Sequence, residues 1–177
     1  MVFDQSQFEK ISLEEELDFL ELYLDLEKLR FMDAIDIQLE VSPFLKEHSD
    51  EIHIPPLLIQ PIVENSFKHG FLYKKEQGIL SIDFSRKDAF LICEIQDNGI
   101  GRKKAEELGQ KSLKDRPSSG LKTSKERLNN LKSFPGSDTT NIEKSELNFI
   151  DLYDSDGNVK GTLVKIKIYC LELEDIK

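Results

Sequence analysis

The stretch PLLIQPIVENSFKHG, residues 56 to 70, contains the pattern around which the rest of the chain can be interpreted. If it is helical from Gln60 onward, a rotation of about 100° per residue groups four polar side chains on one arc: Glu64, Asn65, Lys68 and His69. The opposite arc has the width of an ordinary core-facing stripe and consists of Ile59, Ile62, Val63, Ser66, Phe67 and Gly70. Because asparagine is a poor residue for a helix interior, the polar arc is either a solvated face or a ligand-binding face.

Length and composition limit the class of protein. A chain of 177 residues is long enough for one domain with an appendage. Its formal net charge of −10 opposes nonspecific binding to nucleic acids or anionic lipids, which depends on clustered Lys and Arg. The two cysteines, Cys93 and Cys170, lie in apolar alternating stretches and indicate buried reduced thiols rather than a disulfide or a metal cluster. No stretch approaches about 18 apolar residues, so we expect a soluble chain without direct membrane contact.

The remaining patterns predict an α+β fold. The residues from Ser12 to Glu15 form a capping box, which predicts a helix that ends near Phe31. Alternation of apolar and polar residues predicts five strands, at 35–41, 79–84, 90–95, 147–153 and 162–169, of which the last four form two hairpins. We also expect a helix at 121–131, loops at 42–53 and 133–145, and a frayed acidic tail after Leu171.

The first predicted helix is apolar on more than one side. One stripe consists of four leucines, namely Leu13, Leu17, Leu20 and Leu24. A second stripe adds aromatic residues and consists of Phe19, Leu22, Tyr23, Leu26 and Leu29. Two interpretations remain open: the second stripe packs on a segment outside this chain, or the helix is folded back tightly into the core.

Two glycine-containing segments follow the first predicted hairpin. The sequence D-N-G-I-G at 97–101 has two glycines whose spacing permits positive φ and close approach of a ligand, although it is also ordinary turn chemistry. Residues 102–116 contain six basic and three acidic side chains, a net charge of +3, and form either a solvated loop or a basic flap over a small polyanion. Gly120 precedes the next predicted helix, where it is either a hinge or frees backbone N–H groups for phosphate.

In this order the motifs resemble a known ATP-binding fold. E-N-S-F-K-H-G, D-N-G-I-G, S-G-L-K-T-S-K-E-R-L and G-T-L-V-K-I are similar to the N, G1 and G2 boxes and closing strand shared by gyrase, ninety-kilodalton heat-shock chaperones, MutL proteins and sensor histidine kinases. More narrowly, segments 13–31 and 54–65 resemble the LytS-like branch of sensor histidine kinases. The resemblance extends from about Ser12 to Tyr169. It implies a two-layer α/β sandwich, in which helices cover one face of a mixed, mostly antiparallel sheet.

The resemblance also implies site residues for ATP and Mg²⁺. Asn65 would ligate Mg²⁺, Lys68 and His69 would face the phosphates, and Glu64, Asn65 and Lys68 would form the catalytic group, with Glu64 as candidate base. Asp97 would accept a hydrogen bond from the adenine amino group. The other implied nucleotide contacts are Gly99, Ile100, Gly101, Gly120, Leu121, Lys122 and Thr162, under a lid formed by residues 102–119.

The sequence departs from the pattern at two places. ATP-hydrolysing relatives have a water-activating glutamate four residues before the metal-binding asparagine, and this chain has Pro61 there. Efficient ATP hydrolysis by this chain alone is therefore not expected. The second glycine box is reduced to Gly120, with Ser118 and Ser119 before it and Thr123 where asparagine is frequent.

The implied function is that of the ATP-binding catalytic part of a sensor histidine kinase, which transfers the γ-phosphoryl group to a histidine outside this chain. Residues 1–33 would be a connector helix from the dimerisation and phosphoacceptor region, 34–171 the ATP-binding domain and 172–177 an acidic tail. Expected partners are that upstream segment, a response regulator and a second copy of the full-length kinase, whose cytoplasmic part this would be. Alternatives with the same fold are a noncatalytic nucleotide sensor, an ATP-hydrolysing clamp and a serine kinase of the anti-sigma kind.

Overall fold

The computed structural model describes residues 10–32, 34–74, 76–102, 104–105, 145–170 and 172–176. The helix predicted at 121–131, almost all of the loop predicted at 133–145 and most of the basic segment lie outside these residues. The described helices and strands are β1 (Ile11–Ser12), α1 (Leu13–Phe31), β2 (Ile35–Val41), α2 (Pro43–Glu47), β3 (His53–Ile54), α3 (Gln60–Asn65), a π-helix (Ser66–Phe71), β4 (Gly78–Lys87), β5 (Phe90–Asp97), β6 (Glu146–Tyr153), β7 (Val159–Tyr169) and α4 (Glu172–Asp175).

A five-stranded sheet in the order β2-β4-β5-β7-β6 carries the fold. Strand β2 pairs in parallel with β4, whereas the other three neighbouring pairs are antiparallel. The α+β class and the mixed, mostly antiparallel sheet are therefore confirmed. The first hairpin is tighter than predicted, because β4 and β5 extend until Lys87 pairs with Phe90, and Asp88 takes a left-handed φ of 54° in the turn between them.

The core lies between the buried face of the sheet and the helices. Alternate residues of the central strands, such as Ile82, Ile95 and Ile166, are fully buried in one cluster with Leu20 of α1 and Phe67 of the π-helix. Cysteines 93 and 170 are both buried and free, as predicted from their apolar surroundings. Burial raises the pKa of both thiols, so neither is ionised at neutral pH.

Helix α1 begins with the predicted capping box. The amide of Glu15 donates to the hydroxyl oxygen of Ser12 at 3.1 Å, and the amide of Ser12 donates to the Glu15 carboxylate at 2.9 Å. The leucine stripe faces the core, with Leu13, Leu20 and Leu24 buried. Most of the second stripe is exposed, by 53 to 77% of the side-chain surface, at Phe19, Leu22, Leu26 and Leu29. Tyr23 is the one member of this stripe that packs on the core cluster. The other four members are not covered by any of the described residues.

Two segments differ from the sequence-based expectation. The loop predicted at 42–53 contains α2, and it leads into β3, which pairs with β1. The tail after Leu171 was predicted to be frayed, and this is wrong: it forms α4, and Leu173 is completely buried. The guanidinium of Arg86 donates to the carbonyl oxygens of Leu173 at 2.6 Å and Ile176 at 3.0 Å, which satisfies backbone groups at the end of this helix.

The described helices include none that is both long and apolar enough to span a membrane.

Candidate nucleotide-binding site

The helix that carries the polar arc changes its pitch at Asn65. Residues 60–65 are α-helical, and residues 66–71 form a π-helix, a wider turn that occurs frequently at functional sites. The single α-helix predicted from Gln60 is therefore corrected in its second half. The predicted buried arc is nevertheless observed in full, because Ile59, Ile62, Val63, Ser66, Phe67 and Gly70 are all buried. On the other side, Glu64 and Asn65 are half-buried and Lys68 and His69 are exposed.

The carboxamide of Asn65 is held by its own helix. Its Nδ2 donates to the carbonyl oxygen of Pro61 at 2.8 Å, and because a carbonyl only accepts, this contact fixes which end of the carboxamide is nitrogen. The oxygen Oδ1 is thereby the atom presented for a ligand. A neutral oxygen ligand suits Mg²⁺, which is bound through few protein groups together with waters and phosphates. No cluster of three or more His, Cys, Asp or Glu side chains that could hold a metal occurs among the described residues.

The charged members of the polar arc interact with one another. Lys68 forms an ion pair and hydrogen bond with Glu64, one turn before it. The carboxylate of the candidate base is therefore already paired with the lysine ammonium group. Although His69 is largely exposed, partial desolvation of its ring, together with the charge of Lys68, lowers its pKa. His69 is therefore neutral at neutral pH and can interact with phosphate as a hydrogen-bond donor rather than as a cation.

The carboxylate of Asp97 lies at the end of β5 and is 5% exposed. It accepts hydrogen bonds from the Gly99 amide at 2.8 Å and from the Ser66 hydroxyl at 3.1 Å. Burial raises its pKa, although the bonds from Gly99, Ser66 and Thr162 and the charge of Lys74 act in the opposite direction. Since a carboxylate has about four acceptor positions, this group can accept a further hydrogen bond from a ligand.

The Asp-Asn-Gly turn packs directly on the π-helix. The amide of Ile100 donates to the carbonyl oxygen of Gly70 at 3.1 Å. A Cβ atom at Gly99 would lie 2.5 Å from the Gly70 Cα, so this glycine is required by backbone packing. Of these two glycines, whose spacing permits positive φ, only Gly101 has it, with a φ of 80° and a Cβ position 2.2 Å from a methyl carbon of Val159. Packing therefore accounts for both glycines, and close approach of a ligand to them stays a prediction.

Strand β7 completes the site opposite Asp97. Thr162 pairs with Asp97 in the β5–β7 register and is 7% exposed. Its neighbour Gly161 has a φ of 149°, and a Cβ atom there would lie 1.9 Å from the Asp97 carbonyl oxygen. Sequence reasoning missed Gly161, although it begins the motif G-T-L-V-K-I, and it also missed Ser66, which stands next to Asn65 on the predicted buried arc.

The start of the predicted lid is anchored to the sheet. The guanidinium of Arg102 makes two hydrogen bonds to the Asp151 carboxylate, at 2.8 and 2.9 Å, and holds the pKa of that carboxyl below its usual range. The structure thus brings together Asp97, Thr162 and the glycine turn with Ser66, the residue that follows Asn65 in the chain. Gly120, Leu121 and Lys122 lie outside the described residues, so their predicted contacts are untested.

Solved structures with a similar fold are catalytic domains of histidine kinases. The mycobacterial sensor histidine kinase MprB matches with a TM-score of 0.57 at 15% identity, over 92% of this chain and 97% of that one. The catalytic domain of histidine kinase ThkA, in a nucleotide-free form, matches with a TM-score of 0.54 at 12% identity, over 91% of this chain and 95% of that one. The chain therefore has the fold of a histidine kinase catalytic domain, as predicted.

Relatives in sequence narrow the class of histidine kinase that the chain resembles. The sensor protein LytS of Oceanobacillus iheyensis is 35% identical over 112 residues, which is 62% of this chain and 18% of LytS. LytS of Bacillus cereus is 31% identical over 142 residues, 78% of this chain and 23% of that protein. The sensor histidine kinase BtsS of Escherichia coli is 31% identical over 90 residues, 51% of this chain and 15% of BtsS. No family model matches the chain.

The predicted resemblance is thereby confirmed: in sequence the chain is similar to LytS sensor proteins, and in fold it matches histidine kinase catalytic domains. It spans 18% and 23% of the length of the two LytS proteins compared.

Proposed function

We propose that this chain binds Mg-ATP and transfers the γ-phosphoryl group to a histidine on another segment of a sensor kinase. One observation carries the proposal: the Ser66 hydroxyl, next to Asn65 in the chain, donates to the buried Asp97 carboxylate at 3.1 Å. This bond joins the residue beside Asn65, the proposed Mg²⁺ ligand, to Asp97, the proposed adenine acceptor, although the two lie on different elements. Phosphoryl transfer needs mainly such positioning together with charge neutralisation.

Each described site residue has a role in this proposal. The Asp97 carboxylate accepts a hydrogen bond from the adenine amino group, and Thr162 contacts the base directly or through water. Asn65 Oδ1 would hold Mg²⁺, which would neutralise phosphate charge. Lys68 and His69 face the phosphates beside it. The resemblance also implies phosphate contacts from Gly120, Leu121 and Lys122, which lie outside the described residues.

The transfer itself moves one group and one proton. The bond between the γ-phosphorus and its bridging oxygen breaks, ADP leaves, and a bond forms between phosphorus and an imidazole nitrogen of the acceptor. The attacking nitrogen carries no proton, and the proton on the other ring nitrogen of the acceptor imidazole passes to a base, for which Glu64 is the candidate in the described site. Because Glu64 is paired with Lys68, this role requires that Lys68 move to the phosphates when ATP binds.

The proposal extends to partners and location by the same resemblance. The acceptor histidine belongs to an upstream dimerisation segment, the phosphoryl group passes on to a response regulator, and the full-length kinase is a homodimer. The chain forms part of the cytoplasmic portion of a membrane-anchored kinase. The net charge of −10 agrees with partners other than nucleic acid.

Titration calorimetry with Mg-ADP tests the binding step. Wild type should bind in a metal-dependent way, and Asn65→Ala should bind at least about tenfold more weakly, equivalent to about 1.4 kcal/mol. Asn148→Ala is a matched control, because Asn148 is exposed on β6 and its carboxamide contacts only Glu146 among the described side chains. Absence of binding to wild type, or equal metal dependence in Asn65→Ala, would refute the proposal.

A second experiment tests the transfer step. The chain is incubated with ATP labelled in the γ-phosphoryl group and a separately produced upstream acceptor segment. Acid-labile label on that segment is expected for phosphohistidine, whereas acid-stable label would indicate a serine kinase. Steady-state release of phosphate without an acceptor would indicate an ATP-hydrolysing clamp, and binding without either reaction would indicate a nucleotide sensor.

A further inference from the structure

A carboxylate from α1 reaches the segment that leads into α3. We call α3 and the π-helix that continues it the site helix. Glu16 is 1% exposed and accepts hydrogen bonds from the backbone amides of Leu57 at 2.8 Å and Ile59 at 3.0 Å. These amides lie 41 and 43 residues further along the chain and immediately precede α3. The contact therefore joins two elements that are distant in sequence.

This contact stabilises backbone that is unfavourable by itself. Leu57 has a left-handed φ of 52°, a conformation that costs a residue with a side chain about 1–2 kcal/mol. The prolines at 56 and 61 have no N–H, so all the backbone donors of this segment come from residues 57–60. A buried carboxylate is also costly unless it is hydrogen-bonded, and charge-assisted bonds are the stronger kind. The carboxylate and the two amides therefore stabilise each other.

Helix α1 also contacts the site helix on the other side of Asn65. Tyr23 and Phe31 pack against Phe67 of the π-helix, with ring centroids 6.0 and 5.6 Å apart. The polar contact of Glu16 fixes the start of the site helix, and the aromatic contact fixes its second half. Asn65 lies between these two attachments, at the point where the α-helix becomes a π-helix.

We propose that Glu16 is a positioning residue for nucleotide binding, through which the position of α1 sets the position of the metal-binding oxygen of Asn65. The inference rests on the proposed function, since it requires that Asn65 bind Mg²⁺. A shift of α1 moves the carboxylate relative to the Leu57 and Ile59 amides, and this releases the start of the site helix. Metal-dependent affinity then falls, while contacts to the adenine at Asp97 persist.

The test compares ADP affinity with Mg²⁺ and with a chelator for three proteins. Glu16→Gln keeps the side-chain shape but replaces one acceptor oxygen with an NH₂ group that faces a backbone N–H. The control Leu20→Ala removes a side chain that is 1% exposed one turn along the same helix and makes no bond to those amides. We expect the Mg²⁺ enhancement of affinity to fall by about tenfold in Glu16→Gln, as for other groups that orient metal ligands. It should stay at the wild-type value in Leu20→Ala, whatever that variant loses in Tm.

Amide hydrogen exchange gives a second readout. Exchange at Leu57 and Ile59 should be faster in Glu16→Gln than in Leu20→Ala. A wild-type Mg²⁺ enhancement in Glu16→Gln would overturn the inference and leave Glu16 a purely structural residue. If Glu16→Gln does not fold, Glu16→Asp decides, because it keeps the charge but is too short to reach both amides. Failure of wild type to bind nucleotide would instead refute the proposed function itself, so the two failures are distinguishable.

Discussion

The Asp97 carboxylate illustrates how burial sets the working pH range of a single side chain. Desolvation raises its pKa, and the donors Gly99 and Ser66 offset only part of this effect. Between its ordinary pKa and the raised value, the folded protein binds more protons at this group than the unfolded chain does. Its contribution to stability is therefore greatest below the ordinary pKa and is lost as pH rises through the raised one. The ionised form is thus maintained at a cost in stability, which agrees with the proposed role of Asp97 as an acceptor for the adenine amino group.

Replacement of Asp97 should change both the affinity for adenine nucleotides and its pH dependence. At neutral pH, Asp97→Asn should bind ADP about 10- to 150-fold more weakly, because a hydrogen bond to a charged group contributes about 1.5–3 kcal/mol. As pH falls through the raised pKa of Asp97, wild-type affinity should decrease towards that of the variant. Calorimetric titrations at several pH values measure the ADP affinity of both proteins. Protonation of the ADP phosphate affects both curves equally, so it does not account for a difference between them. Parallel curves would contradict the assigned role.

At the scale of an element, β7 requires a glycine where β5 leaves no space. Gly161→Ala would place a methyl group 1.9 Å from the Asp97 carbonyl oxygen, at a φ of 149° that alanine rarely adopts. We expect a loss of about 1–3 kcal/mol from backbone strain and a similar amount from overpacking, measured by urea unfolding. Gly157→Ala is the matched control, since its φ is 80° and no heavy atom lies within 4 Å of the added carbon. It should lose only about 1–2 kcal/mol, and equal losses in the two variants would exclude the steric explanation.

The elements that depend on local sequence were predictable. Strict alternation predicted a strand at 35–41, and β2 has these bounds; the capping box at Ser12 likewise predicted the start of α1. The π-helix was not predictable from periodicity, because Gly70 at its end packs on Gly99 of a distant turn. The buried tail was missed for the same reason, since it is fixed by Arg86, which lies 87 residues before Leu173.

The candidate site shows the same difference between features that depend on local sequence and features that depend on distant contacts. The resemblance to known motifs predicts site roles for Asn65, Asp97 and Thr162; in the structure Asp97 pairs with Thr162, and Ser66, which follows Asn65, donates to Asp97. Ser66 and Gly161 were missed because their importance depends on a partner in another element, which is Asp97 in both cases. A resemblance in local motifs thus does not reveal residues whose role depends on a contact with a distant element.

At the scale of the whole molecule, the C-terminal segment closes the core. Leu173 is fully buried, and Arg86 joins its carbonyl group to β4 while its guanidinium lies 4.2 Å from the centre of the Phe44 ring. Three regions that are distant in sequence, namely α2, β4 and α4, therefore meet at one arginine. The sequence-based prediction separated the ATP-binding domain from a C-terminal tail. Among the described residues, this contact joins the two into one structure.

Leu173→Ala should therefore destabilise the whole fold rather than loosen one end. Removal of a fully buried leucine side chain leaves a cavity, and we expect a decrease of about 2–5 kcal/mol in the free energy of unfolding. Leu22→Ala makes the same chemical change on the exposed stripe of α1, where the side chain is 63% exposed, and should change stability by at most about 0.5 kcal/mol. Urea unfolding followed by circular dichroism should give a single transition for both variants, shifted only in Leu173→Ala. A Leu173→Ala curve that overlays the wild type would mean that the segment after residue 171 does not contribute to the core in solution.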